Sequence, residues 1–218
     1  MIMQNEEETM RVVIFGATGM VGQGMLRECL LAADVEEVLA VIRTPTGVRH
    51  PKLTEVEVAD FTKLDQVDLS GYDACFYCLG VSSVGKSEPE YTEISYNYPM
   101  AAARAVDHDA CFIYVSGAGT SATSRQMWAR VKARTENEII DLLPNGYAAR
   151  PGFIQPTHGV RSKTRFYNAV YTGLGPLFPA LEKAAPKYFT TTDRLSRAML
   201  QVARVGFPRH ILENADLR

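Results

Sequence analysis

Arg11-Val12-Val13-Ile14-Phe15 is a nearly unbroken β-branched and aromatic run, the pattern of a strand covered on both faces. It stops at Gly16. Met20, Val21, Met25, Leu26, Cys29 and Leu30 then recur at helical spacing, so the segment reads strand, tight turn, helix. The alternation continues. Val38–Ile42 predicts a second strand, Val56–Ala59 a short third, Ala74–Leu79 a fourth and Cys111–Val115 a fifth. Ser87-Glu88-Pro89-Glu90 is a capping box with proline in its first turn, and Pro99 interrupts that helix or restarts it after Asn97. A further helix runs from about Gln126 to Leu143 and ends before the turn Pro144-Asn145-Gly146. The last one starts at Thr192-Asp193 and carries Leu195, Met199, Leu200 and Val202. Strands alternating with helices predict an α/β fold, a doubly wound parallel sheet connected right-handedly.

Residues 1 to 9 read as a disordered acidic tail, and residues 10 to 218 as one Rossmann-type domain. From 151 to 190 prolines and aromatics replace the periodicity, which predicts a small irregular C-terminal lobe on the substrate side of the sheet's carboxyl edge. With 46% hydrophobic residues the chain can bury a sizeable core. A net charge of -2 argues against a nucleic-acid binder, and no apolar run reaches membrane-spanning length. The acidic start argues against a signal peptide, and four cysteines are too few for a disulfide scaffold. The expected setting is therefore cytoplasmic.

The most specific signal is Gly16-Ala17-Thr18-Gly19-Met20-Val21-Gly22, placed between a buried strand and a helix. A dinucleotide site needs that context. Gly16 permits the turn, Gly19 lets backbone N–H groups approach a pyrophosphate, and Gly22 lets the helix lie close to the strand. The helix N-terminus adds donors and partial positive charge. The second strand runs out at Ile42-Arg43-Thr44, with no carboxylate for a ribose 2′-hydroxyl. Arg43 suits a 2′-phosphate and Thr44 adds a hydroxyl, so NADP is favoured over NAD.

These residues resemble the atypical and extended short-chain dehydrogenases/reductases, a group that includes NmrA-like proteins, sugar-nucleotide epimerases and the Tat-interacting-protein oxidoreductase branch. Four further segments carry the resemblance: Asp60-Phe61, Cys78-Leu79-Gly80, Val115-Ser116-Gly117 and Arg150-Pro151-Gly152. It implies adenine contacts from Asp60 and Phe61, a turn along the cofactor at Leu79 and Gly80, and a strand-end serine at Ser116. It also places Pro151 and Gly152 beside the nicotinamide. Thr18, Met20 and Val21 belong to the phosphate turn by the same likeness.

The family's catalytic pair is Tyr-x-x-x-Lys on the helix after the fifth strand. The matching stretch here is Trp128-Ala129-Arg130-Val131-Lys132. Lys132 is retained, but an indole donates only and does not relay a proton as a phenol does. Tyr91, Tyr96, Tyr98, Ser121 and Thr123 are the candidate replacement acids.

Cys75 and Cys78 spell CxxC inside an apolar strand, where a three-residue offset sends them to opposite faces. His50, His108, His158 and His210 show no ligand spacing, so no metal is expected. The aromatics from Phe166 to Phe178 could line a pocket or pack the lobe. Together the residues predict an NADP(H)-binding oxidoreductase or epimerase-like protein acting on a small carbonyl or alcohol. The alternative is a non-catalytic NADP(H) sensor acting through a protein partner. No nucleic acid or membrane span is expected.

Overall fold

A computed structural model of the chain describes residues 9–159, 185 and 188–217. The expected tail, apart from residue 9, and most of the 151–190 segment, including the Phe166–Phe178 aromatics, lie outside the described residues.

The chain runs β1 (Met10–Phe15), α1 (Met20–Leu31), β2 (Val35–Ile42), β3 (Leu53–Glu57), β4 (Ala74–Tyr77), α2 (Glu88–Thr92), a π-turn (Glu93–Asn97) and α3 (Tyr98–Ala105). It continues β5 (Cys111–Val115), α4 (Met127–Leu142), β6 (Gly146–Arg150), β7 (Phe153–Gln155), β8 (Phe189–Thr191), α5 (Thr192–Val205) and β9 (Ile211–Glu213). Seven strands form one sheet in the order β3-β2-β1-β4-β5-β6-β9, and every pairing in it is parallel. The order reverses between β1 and β4, and a crevice opens there at the carboxyl ends of the strands.

The continuous apolar runs explain the two-sided burial. Val12 and Ile14 pack with Met25, Cys29, Leu195 and Met199, so α1 and α5 cover one face. Val13 and Phe15 pack with Met100, Ala103, Phe112 and Ile139, so α3 and α4 cover the other. Cys75 belongs to the second cluster and Cys78 packs against the first, as their offset demands.

Pro99 is accommodated rather than avoided. A proline in a helix frees the carbonyl four residues back. That carbonyl is Ser95, inside the π-turn, and it accepts from the Thr135 hydroxyl at 2.7 Å and the Tyr114 hydroxyl at 3.2 Å. The wider turn thus lets one helical run pass the proline while its spare acceptor ties α4 and β5 to the run.

Two strands of the main sheet, β6 and β9, are additional to the five expected, and the third begins earlier than expected, at Leu53. In place of wholly irregular chain after residue 150, β7 and β8 pair in parallel, with Phe153 and Phe189 rings 5.7 Å apart.

The crossing of α1 over the end of β1 is the tightest packing. A Cβ on Gly22 would lie 2.0 Å from the Gly16 carbonyl oxygen. Gly22→Ala should therefore cost about 3 kcal/mol or more, as overpacking against an immovable backbone does. Urea unfolding followed by circular dichroism checks this; a loss well under 1 kcal/mol would show that the turn yields.

Candidate functional site

The groove above the reversal point encloses about 970 Å³, within the range of cofactor and ligand sites. Its floor is the turn between β1 and α1. Gly16 has φ +80°, and a side chain there would drive a Cβ to 2.6 Å from the Leu79 nitrogen. This pins the end of β1 against the end of β4. The Gly19 N–H donates to the Gly16 carbonyl at 2.9 Å, and the Gln23 amide donates to the Thr18 carbonyl at 3.0 Å, bracing the turn. The first N–H groups of α1 have no acceptor within the helix and face this end. Gly19 has φ −82°, which any residue tolerates, and a Cβ there would meet one atom within 4 Å, the Gly16 carbonyl oxygen at 3.3 Å.

The residues expected to bind cofactor, together with Ser116 and Lys132, line this groove, Asp60 excepted. Gly16, Thr18, Gly19, Met20 and Val21 form the floor. Arg43, Thr44 and Phe61 stand at one end, with the Arg43 guanidinium carbon 6.0 Å from the centre of the buried Phe61 ring. Leu79 and Gly80 run along the middle, and Ser116, Lys132, Pro151 and Gly152 close the other end. Asp60 is not among the lining residues. Its carboxylate accepts from the Thr62 N–H at 3.0 Å and hydroxyl at 2.6 Å and pairs with Lys63 at 3.6 Å, so it folds back onto its own loop. Gly152 also has a structural reason to be glycine, since a Cβ there would lie 2.3 Å from the Tyr188 carbonyl oxygen. Among the residues that sequence reasoning left out, Ser82, Val84 and Lys86 of the loop after β4 line the groove as well. Their signal was weak because that loop has neither periodicity nor a familiar spacing.

The replacement acids do not reach the groove. Tyr91 is buried in the core, and Tyr98 packs on Phe61 at 5.6 Å. The Tyr96 hydroxyl donates to Glu138 at 2.5 Å and accepts from Arg134 at 2.7 Å. Ser121 and Thr123 hydrogen-bond each other at 3.2 Å. None of the five is among the groove's lining residues, nor is Trp128, which faces the loop at Gly119.

The acid-base capacity of the lining is correspondingly narrow. The Cys78 thiol is pushed up to about 12 by burial and stays protonated. The Thr120 hydroxyl donates to the Gly117 carbonyl at 2.8 Å, which leaves the Ser116 hydroxyl to donate to Thr120 at 3.1 Å. Ser116 then keeps lone pairs but has its proton engaged. Lys132 is different. Among the described residues its ammonium reaches the Val115 carbonyl, at 3.3 Å, and the Tyr114 ring, 5.3 Å from its centre. Burial lowers its pKa from 10.5 to about 8, partly opposed by Glu136 one turn on. Glu136 is fully buried and held by the Arg150 guanidinium through contacts of 2.5, 3.0 and 3.1 Å. A neutralised Glu136 stabilises the lysine's charge less than a free carboxylate would.

The comparisons with known proteins place this geometry. WbmF of Bordetella bronchiseptica, solved in complex with NAD+, matches with a TM-score of 0.69 at 16% identity over 98% of this chain and 77% of its own. An oxidoreductase of the short-chain dehydrogenase/reductase family from Burkholderia thailandensis gives 0.65 at 20% identity, covering 89% and 86%. Uronate dehydrogenase from Agrobacterium tumefaciens gives 0.65 at 18%, covering 95% and 77%. The fold these structures share with the chain is the parallel Rossmann sheet with helices on both faces.

No family model matches the chain. Among curated proteins, the mitochondrial protein FMP52-2 of Scheffersomyces stipitis is 28% identical over 160 residues, 70% of this chain and 68% of that one. The mitochondrial protein FMP52 of Meyerozyma guilliermondii is 23% identical over 215 residues, 90% and 92% of the two chains. These relatives overturn the cytoplasmic expectation, since all four that match carry mitochondrial names.

Lys132 gives a testable linkage. Between about pH 8 and 10.5 the unfolded chain holds a proton that the folded chain has shed. Stability from this group therefore rises with pH across that window, and the penalty is full below about 8. Lys132→Met should raise the melting temperature at pH 6 to 7, with the gain shrinking towards pH 10. A gain independent of pH would remove Lys132 from the explanation.

Proposed function

We propose that this chain is an NADP(H)-dependent oxidoreductase acting on a small carbonyl or alcohol. The observation that carries the reading is the single groove in which the glycine turn, Arg43 and Lys132 meet. Its residues suit the cofactor. Room above Gly19 and the free donors of α1 fit a pyrophosphate, and nothing lies within 4 Å of a Cβ built on Gly80 or Gly117. Arg43 and Thr44 stand exposed at the end of β2, where a carboxylate would serve an unphosphorylated ribose.

When bound, the nicotinamide supplies a hydride acceptor or donor. The protein's part is to orient it and to manage the proton. Lys132 would hold the nicotinamide ribose, as the family resemblance implies. Ser116 would turn its hydroxyl from Thr120 to a substrate oxygen, a switch between two acceptors of similar strength.

The sensor reading rests on one observation, the tryptophan in place of the family's tyrosine. A screen of carbonyls and alcohols with both cofactors, on wild type and Trp128→Tyr, separates the two. Turnover by wild type supports the enzyme. Tight NADPH binding with silence from both proteins supports the sensor.

Cofactor choice is tested by calorimetric titration. NADPH should bind more tightly than NADH, and Arg43→Ala should erase the difference while leaving NADH affinity nearly unchanged. Equal affinities in wild type would remove Arg43 from the argument. Gly19→Val should abolish binding of both cofactors, because its side chain enters the pyrophosphate's place. Its backbone needs no positive φ, so it should retain the wild-type fold by circular dichroism. A folded variant with undiminished affinity would put the dinucleotide elsewhere.

A further inference from the structure

Lys86 is a groove residue that the cofactor leaves over. Among the described residues, the charged groups lining the groove are Arg43, Lys86 and Lys132, all cationic, in a chain whose net charge is -2. The positive lining is therefore local and not a reflection of overall composition. Arg43 stands at the end of β2 for a 2′-phosphate, the pyrophosphate has the N-terminus of α1, and Lys132 has the nicotinamide ribose. Lys86 has no such assignment.

Its ammonium has no hydrogen-bond or ion-pair partner among the described residues. The nearby carboxylate is Glu90, but Glu90 is committed to the capping box. One of its oxygens accepts from the Ser87 N–H at 2.8 Å and from the Ser87 hydroxyl at 2.7 Å. Lys86 is half-buried, so part of its hydration is already removed. A cation in that state is prepared for an anion that arrives with the ligand.

Position decides which anion. Glu88, two residues on, pairs with Arg130 of α4 at 3.3 Å. That contact anchors the end of the loop to the first turns of the helix that carries Lys132. The loop that carries Lys86 is thus tied to the helix that brings Lys132 to the groove. Resting on the oxidoreductase reading above, we infer that the substrate is itself an anion. It is a small carbonyl compound or alcohol bearing a carboxylate or phosphate, whose charged group is taken by Lys86 while its oxygen faces Ser116 and Lys132.

Matched pairs of probes test this by ligand-observed NMR, with and without NADPH. Pyruvate is set against acetone, succinate semialdehyde against butanal, and dihydroxyacetone phosphate against dihydroxyacetone. At least one anionic member should bind roughly tenfold more tightly than its neutral partner, the scale of one charge-assisted hydrogen bond. The carboxylate and phosphate arms tell which group is accepted. Lys86→Gln should abolish the preference, Lys86→Arg should keep it, and both should bind NADPH within about twofold of wild type if, as inferred, Lys86 serves the substrate. Neutral partners that bind as tightly as the anions in every pair would overturn the inference. So would a Lys86→Gln protein that loses NADPH affinity while its anion preference persists, since Lys86 would then serve the cofactor. Wild type that prefers anions but fails to bind NADPH would defeat the oxidoreductase reading and leave the anion site standing.

Discussion

The close crossing of α1 over the end of β1 governs the rest of the site. Two absent side chains make it possible. Gly22 lets the first turn of the helix rest on the Gly16 carbonyl, and Gly16 lets the end of β4 approach the turn. If either distance opened, the helix N-terminus would withdraw from the crevice and the β1–β4 junction would part. The donors for a pyrophosphate and the channel floor between the two halves of the sheet come from one packing constraint. A sequence must satisfy it locally, within seven residues, which is why this part of the molecule is so plainly written in the chain.

A second constraint sets the far end of the groove. The carbonyl that Pro99 frees is received by Thr135 on α4 and Tyr114 on β5. On the next faces of the same helix, Glu136 is locked by Arg150 at the end of β6. Breaking one partner of a buried pair is costly, so these contacts specify the seating of α4 even if their net contribution to stability is small. The seating of α4 in turn fixes where Lys132 enters the groove.

How much of this was legible follows from the range of the determinants. β1, β2, β4 and β5 are runs of large apolar residues and announce themselves. β6 is Gly146-Tyr147-Ala148-Ala149-Arg150, whose small residues are buried because β5 and β9 flank them, and β9 has three residues. Neither carries a local strand signal. The residues that the family resemblance singled out as cofactor contacts, Asp60 apart, line one groove. At Asp60, outside that lining, a local turn with Thr62 competes for the carboxylate, a preference that Asp shows in any short loop. The resemblance was silent on Lys86, because a lone lysine between glycine and serine has no pattern. Only the ion pair between Glu88 and Arg130, residues 42 apart, shows which end of the groove that loop joins.

The groove's chemistry can be argued from what lines it. Among the described residues there is no phenol, imidazole or carboxylate in the lining, and its thiol is held protonated. The tyrosine position holds an indole outside the groove. What remains is a set of hydroxyls, that of Ser116 with its proton engaged, the cations Arg43 and Lys86, and the Lys132 amine, whose pKa burial has brought to about 8. The same desolvation that makes Lys132 a cost to the fold brings it into the range where a group can both give and take a proton near neutrality. The Arg150–Glu136 pair preserves that condition. A free Glu136 would hold the lysine more firmly charged, and a group now titrating near neutrality would become a fixed cation. The indole at the position that the resemblance gives to a tyrosine therefore does not by itself decide between enzyme and sensor. Lys132, with its neighbour Glu136 paired to Arg150, is the feature that keeps proton transfer chemically available.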